Sequence, residues 1–168
     1  MIFSVNRDSK TERCDEMDII IKQASVDDIE TLMEWRMEVL HHVFEVPDDE
    51  NMQGLYQANR EYYLSAMPDL NHVAIFATVN QTVVGCGGLC LYQEMPSPDN
   101  LTGQCAYLMN IYTREEYRKQ GVGKAVAMWL VDYAKKKGIT KIYLETSVWG
   151  RPLYESLGFH DMQDFMKM

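Results

Sequence analysis

Two apolar runs rich in β-branched residues, His72–Val79 and Thr82–Tyr92, stand only two residues apart in the chain. Asn80 and Gln81 leave room for a tight turn and nothing longer, so the runs predict an antiparallel hairpin within a sheet. Gly85, Gly87 and Gly88 interrupt the second run, and glycine inside a strand predicts a bulge or the close approach of another backbone. Helices and strands alternate around this hairpin. Ile19, Ile20 and Ile21 open a first strand, and Ser25-Val26-Asp27-Asp28 supplies a capping box for a helix whose Ile29, Leu32, Met33, Leu40 and Val43 share one face. A second amphipathic helix is predicted from Asn51 to Ala66. Beyond the hairpin come a loop over Met95–Gly103, a strand over Cys105–Thr113, and a helix with Val122, Val126, Trp129, Leu130 and Tyr133 on one face. A strand over Lys141–Thr146, a short helix over Arg151–Leu157 and a last strand over Asp164–Met168 complete the order βααβββαβαβ, which predicts a mixed α/β fold.

Composition narrows the class. A chain of 168 residues, 46% hydrophobic and 24% charged, has the size of one domain and buries roughly two-thirds of its unfolded surface without a disulfide or metal staple. Residues 1–18 are polar and unpatterned and read as a flexible leader, with a single domain over 19–168. A net charge of −9 opposes nucleic-acid binding. No stretch approaches the roughly 18 apolar residues of a membrane span, and the leader lacks the apolar core of a signal peptide. Cys14, Cys86, Cys90 and Cys105 form no C-x-x-C pair and read as the reduced thiols of a cytoplasmic protein. His41 and His42 are adjacent rather than at metal-ligand spacing, so no metal site is expected.

Chemistry concentrates in Ile111–Lys124, I-Y-T-R-E-E-Y-R-K-Q-G-V-G-K, which ends a strand, tightens through glycines and opens a helix. Gly121 and Gly123 remove side chains where backbone must approach a ligand, and the first N–H groups of the new helix are donors without partners. Arg114 to Lys141 holds eight basic and three acidic residues, a net of +5, so the rest of the chain carries −14. A basic island in an acidic chain suits a compact polyanion such as a nucleotide diphosphate. Glycines placed only for helix packing are the alternative. The segment lacks the first glycine and the hydroxyl of a P-loop, and it lacks the last glycine of the dinucleotide fingerprint.

What it does contain is R-x-x-G-x-G, met by Arg118, Gly121 and Gly123. With Trp149–Phe159, W-G-R-P-L-Y-E-S-L-G-F, and the strand-helix order from Ile19 onward, the chain resembles the GNAT acyltransferase superfamily. The resemblance implies an α/β GNAT fold, with a mixed, mostly antiparallel central sheet flanked by helices and splayed at the acetyl-CoA site. It implies acetyl-CoA as co-substrate, held by Ile111, Tyr112 and Thr113 along the pantetheine arm and by Arg118, Lys119, Gln120, Gly121, Val122, Gly123 and Lys124 around the pyrophosphate. Ser147 stands where the family often places an asparagine, which alters one cofactor contact.

The same resemblance implies an N-acetyltransferase that moves an acetyl group directly onto a primary amine of a small molecule. A protein or peptide amine acetyltransferase and a non-catalytic acyl-CoA sensor are the alternatives. Direct attack by the amine needs no protein nucleophile, and G-x-S-x-G is absent. The departing thiolate needs a proton, and Tyr154 stands at the family's general-acid position; a phenol with a pKa of about 10 is protonated at neutral pH. For the base, Glu145, His72, Glu38, His41, His42 and a bound water are the candidates. The acceptor side is expected on the two early helices and the loop Met95–Gly103. There Tyr56, Tyr62, Tyr63, Glu45 and Asp48 suit a cationic acceptor, though the same residues also fit core tyrosines and surface acids. A homodimer is the commonest default for assembly.

Overall fold

The computed structural model describes residues 17–47, 50–162 and 166. Most of the expected leader, Asp48 and nearly all of the expected last strand therefore lie outside the described residues. Five strands form one sheet in chain order: β1 (Ile20–Gln23), β2 (His72–Val79), β3 (Thr82–Gln93), β4 (Gln104–Thr113) and β5 (Lys141–Leu144). The first three pairings are antiparallel and the last is parallel. Helices α1 (Ile29–Phe44) and α2 (Gln53–Ala66) link β1 to β2, α3 (Val122–Lys136) crosses from β4 to β5, and α4 (Arg151–Glu155) follows β5. This is the mixed, mostly antiparallel α/β fold that the sequence predicts. Among the described residues no helix is long and apolar enough to cross a membrane.

The hairpin turns on Asn80 and Gln81, both left-handed at φ 49° and 67°, the geometry whose twist matches antiparallel strands. β2 is buried on both faces because helices cover the sheet from either side. Val73, Ile75, Ala77 and Val79 meet Val126, Leu130 and Ala134 of α3, while Ala74 and Phe76 meet Leu32, Met33, Trp35 and Tyr63 of α1 and α2. Gly87 explains how close α3 sits. A Cβ there would lie 2.5 Å from Val126 Cγ1 and 3.1 Å from Leu130 Cδ1, so the helix rests on bare strand backbone. β3 also bulges beside Gly85, where Val84 is an extra residue between the Ala77↔Gly85 and Thr78↔Val83 pairs, so both roles expected of these glycines are present.

Several boundaries move. The Ser25 capping box is formed with Asp28 but caps a short 3-10 turn, from which α1 continues. Val43, expected on the buried face of α1, is exposed beyond Leu40, the last buried residue of that helix. β5 stops at Leu144 rather than Thr146, since Ser147 O already accepts the Gly150 and Arg151 N–H groups that begin the turn into α4. α4 ends at Glu155 rather than Leu157, where Gly158 at φ 91° reverses the chain.

One ion pair joins α1 to the end of β4. Arg114 donates to both carboxylate oxygens of Glu38, Nε at 3.1 and 3.3 Å and Nη2 at 2.8 Å, and its guanidinium lies 4.4 Å from the centre of the Trp35 ring. These hydrogen bonds hold the Glu38 carboxyl below its ordinary value of 4.5. A depressed carboxyl contributes stability that is fully present above its unfolded pKa and is lost as pH falls through the folded one. Glu38→Gln is expected to cost about 1–2 kcal/mol at neutral pH. Urea unfolding at a series of pH values should show the gap between wild type and variant closing below pH 4.5.

Candidate active site

β4 loses its outer partner halfway along. β5 pairs with it only from Cys105↔Lys141 to Leu108↔Leu144, while β4 runs on to Thr113. From Met109 onward the strand therefore has β3 on one side and, among the described residues, no strand on the other. A bulge falls in this stretch. Gly88 faces Met109 and Cys86 faces Tyr112, so Asn110 and Ile111 together oppose Gly87, and Asn110 is left-handed at φ 55°. The extra residue shifts the side-chain alternation. Ala106 and Leu108 join the core under α3, whereas Asn110 and Tyr112 turn toward α1. Arg114 N–H donates to Val84 O at 3.1 Å. By strand alternation the Tyr112 backbone then also faces β3, and the backbone groups of Ile111 and Thr113 face the open side.

The chain next makes a 3-10 turn at Glu115–Tyr117 and enters α3 through Gly121. Arg118 folds back, its Nε donating to Thr113 O at 3.1 Å and its guanidinium lying 5.8 Å from the centre of the Tyr112 ring. Gln120 Nε2 donates to Glu116 O at 2.7 Å. Side chains thus tie down the turn and leave its amides free. Among the described residues no protein acceptor takes the N–H of any residue from Lys119 to Lys124. Nor does any carboxylate among them pair with the exposed Lys119 or Lys124. Unpaired amides at a helix start with two cations beside them are a geometry that can hold an anion. Val122 contributes its amide alone, because its side chain is core at 1% exposure. Above Gly121, at φ 90°, a Cβ would meet only Ile19 Cδ1 at 3.9 Å, so that space is open.

α4 docks on the same turn. Leu153 Cδ2 lies 3.6 Å from the point where Gly123 would carry a Cβ, and Tyr154 is the next residue. Its ring meets Phe159 edge-on at 5.9 Å. Burial pushes the Tyr154 phenol up to about 12, and no hydrogen bond among the described residues engages its hydroxyl. Ser147 is used locally, its Oγ accepting the Gly150 N–H at 3.3 Å. Tyr154 also lines a cleft of about 630 Å³ between β5, α3 and α4, where Ile142, Leu144 and Phe159 supply apolar walls; none of the turn residues Arg118 to Lys124 lines it.

On the α1 and α2 side, the structure gathers residues that periodicity did not single out. Arg36 donates through Nε to Asn59 Oδ1 at 2.9 Å and through Nη1 to Asn110 Oδ1 at 2.8 Å. The signal was present: Arg36 stands three and four residues from Met33, Leu32 and Leu40, on the stripe reserved for apolar residues. Tyr62 Oη lies 3.1 Å from His72 Nδ1. His72 is 2% exposed, and its Nε2 has no partner. Burial pushes the His72 imidazole down to about 4 and the Tyr63 phenol up to about 12.

Of the candidate bases, Glu38 is engaged by Arg114, His41 Nδ1 lies 3.1 Å from Val46 O, and His42 stacks on Tyr112 at 5.5 Å. Glu145 is exposed just past β5. The acidic lining expected for the acceptor is not gathered here. Glu45 is exposed at the end of α1, Asp48 lies outside the described residues, and Tyr56 Oη is 3.4 Å from Glu30 at the surface. The loop Met95–Gly103 joins the first residue of β4, ~30 Å along the strand from Thr113.

An open strand edge running into an unpaired glycine turn can now be set beside known proteins. The Acetyltransferase (GNAT) family matches residues 29–159. The chain belongs to this family. A predicted acetyltransferase of Clostridium acetobutylicum, crystallised with acetyl-CoA, superposes with a TM-score of 0.80 at 24% identity, covering 90% of this chain and 96% of that one. The ribosomal protein bS18-alanine N-acetyltransferase of Escherichia coli (strain K12) is 37% identical over 59 residues, 33% of this chain and 40% of the relative. Glucosamine 6-phosphate N-acetyltransferase of Trypanosoma brucei brucei is 28% identical over 86 residues, 51% of this chain and 56% of the relative. The matched region thus spans about two-fifths to just over half of these curated relatives.

The two glycines of the GNAT turn answer to different constraints. Gly121 needs its left-handed backbone, so Gly121→Ala is expected to cost about 1 kcal/mol of stability. Gly123 has room, since a Cβ would find Leu153 and Thr113 at 3.6 Å; Gly123→Ala is expected to change stability by less than about 0.5 kcal/mol. Thermal unfolding of the two variants measures the difference.

Proposed function

We propose that this GNAT protein transfers an acetyl group from acetyl-CoA to a primary amine of a small molecule without a covalent enzyme intermediate. The observation that carries the reading is the set of unclaimed amides from Lys119 to Lys124, directly continuous with the open edge at Ile111 and Thr113. A diphosphate on those amides, with Lys119 and Lys124 beside it, would place the attached pantetheine along the strand edge. There the outward amides of Ile111 and Thr113 replace the pairing that β5 no longer gives. Arg118, held on Thr113 O, keeps a positive charge at the junction. Tyr112 supports the edge from behind, since its ring is 9% exposed and faces α1. Ser147 shapes the turn into α4 rather than offering an unengaged hydroxyl.

When bound, acetyl-CoA supplies the activated acyl carbon that a neutral amine attacks. Tyr154 is the proton donor for the sulfur that leaves, because burial keeps its phenol protonated throughout the neutral range. The same burial raises the proton affinity of a thiolate formed beside it, which narrows the gap between donor and acceptor. The free thiols Cys86, Cys90 and Cys105 fit a reducing cytoplasmic setting.

Three measurements test this. Thiol release from acetyl-CoA against polyamines, amino acids, aminoglycosides and short peptides should show turnover with a small amine; turnover confined to peptides would instead favour a protein acetyltransferase, and none at all a sensor. Tyr154→Phe should lower kcat by about 100-fold or more while acetyl-CoA affinity stays unchanged, and equal losses in both would remove the acid role. Gly121→Asp should abolish acetyl-CoA binding in calorimetry.

A further inference from the structure

We propose that the guanidinium of Arg36 anchors a carboxylate on the acceptor, so that the amines this protein acetylates are amino acids or close amino-carboxylic analogues. The inference rests on the acetyltransferase reading and adds the substrate class. Its starting point is a charge without a countercharge. The partly buried cations Arg114 and Lys141 each meet a carboxylate, Glu38 at 2.8 Å and Glu94 at 2.6 Å. Arg36 is also partly buried, yet among the described residues its hydrogen bonds go only to the neutral amides of Asn59 and Asn110. A half-desolvated guanidinium gains most from a carboxylate that can take two of its N–H groups at once. Nη2, from which no described protein group accepts, and the second hydrogen of Nη1 remain for that purpose.

The position of Arg36 suits the role. Asn110, which holds Nη1, is the bulge residue of β4 and immediately precedes the open-edge backbone of Ile111. The bulge turns Asn110 away from the α3 core and toward α1, so the guanidinium stands one side chain from the edge where an acyl group would lie. Asn59, which holds Nε, lies one turn of α2 from Tyr62 and Tyr63, which form an aromatic cluster with His72 whose ring centres are 5.3–6.0 Å apart. The charge of Arg36 is felt by Tyr62, Tyr63, His72 and Cys86. Among the described residues no second cation joins it. His72 is neutral at physiological pH, Arg60 lies 3.4 Å from Glu30, and Arg114 is taken by Glu38. One uncompensated positive charge matches a carboxylate, whereas a phosphate dianion would call for more.

The test uses the full chain, acetyl-CoA and a panel of α- and ω-amino acids, each paired with its own carboxamide. Wild type should prefer the acid over its amide by about 10- to 100-fold in kcat/KM for the best pair. Arg36→Gln should bring that ratio to within about 3-fold, chiefly by raising KM for the acid, while acetyl-CoA affinity in calorimetry stays unchanged. Arg36→Lys should retain part of the preference. Turnover without acid preference in wild type, or an Arg36→Gln variant that slows acids and amides equally, overturns the Arg36 assignment and leaves the acetyltransferase reading standing. Failure of wild type to bind acetyl-CoA overturns both. The wild-type ratio decides the matter even where Arg36→Gln does not fold.

Discussion

A strand that has lost one neighbour must still find partners for every second N–H and C=O along that edge. In this protein β5 leaves β4 after Leu108, and everything at the site follows from that departure. In the proposed function, the exposed edge at Ile111 and Thr113 would seat an extended ligand. α3, which must return the chain to β5, begins where the edge ends, so its unpaired first amides lie in line with the strand. Edge and helix start are two halves of one requirement, the first for an extended arm and the second for its charged end.

The bulge opposite Gly87 is the other constraint. Without it, strand alternation would point Asn110 into the apolar core beneath α3, where an amide would have little to bond. The single extra residue sends Asn110 to the other face, where Arg36 meets it. The sides of β4 proposed for cofactor and acceptor are therefore set by one irregularity, with α1 and α2 packed on the face that the bulge created. Glu38 and Arg114 then clamp α1 against the strand terminus on the same face.

Much of this was legible in the sequence. The hairpin at Asn80-Gln81, the capping box at Ser25, the glycine bulge and the strand-turn-helix at Ile111–Lys124 all follow from local rules of spacing and backbone freedom, and the family resemblance rested on the last of these. What the sequence concealed was pairing at a distance. Arg36 and Asn110 are separated by 74 residues, and nothing in either neighbourhood announces the other. Arg36 did break the apolar stripe of α1, yet a periodicity reading records such a break as an interruption rather than as a partner sought. The choice between an acidic acceptor wall and surface acids stayed open for a related reason: composition of a segment says which charges are present, not which of them turn inward. Glu45 turned out, and the inward charge was a cation.

The bare backbone of Gly87 has a mechanical meaning beyond its fit. Because Val126 and Leu130 would collide with any side chain there, the residue sets the height at which α3 rides over the sheet. The helix carries the unpaired amides at its tip, so that height is also the vertical alignment between the tip and the strand edge. A residue with no side chain, contributing only its backbone in mid-sheet, thereby acts as the gauge block against which the two ends of the proposed ligand would be levelled.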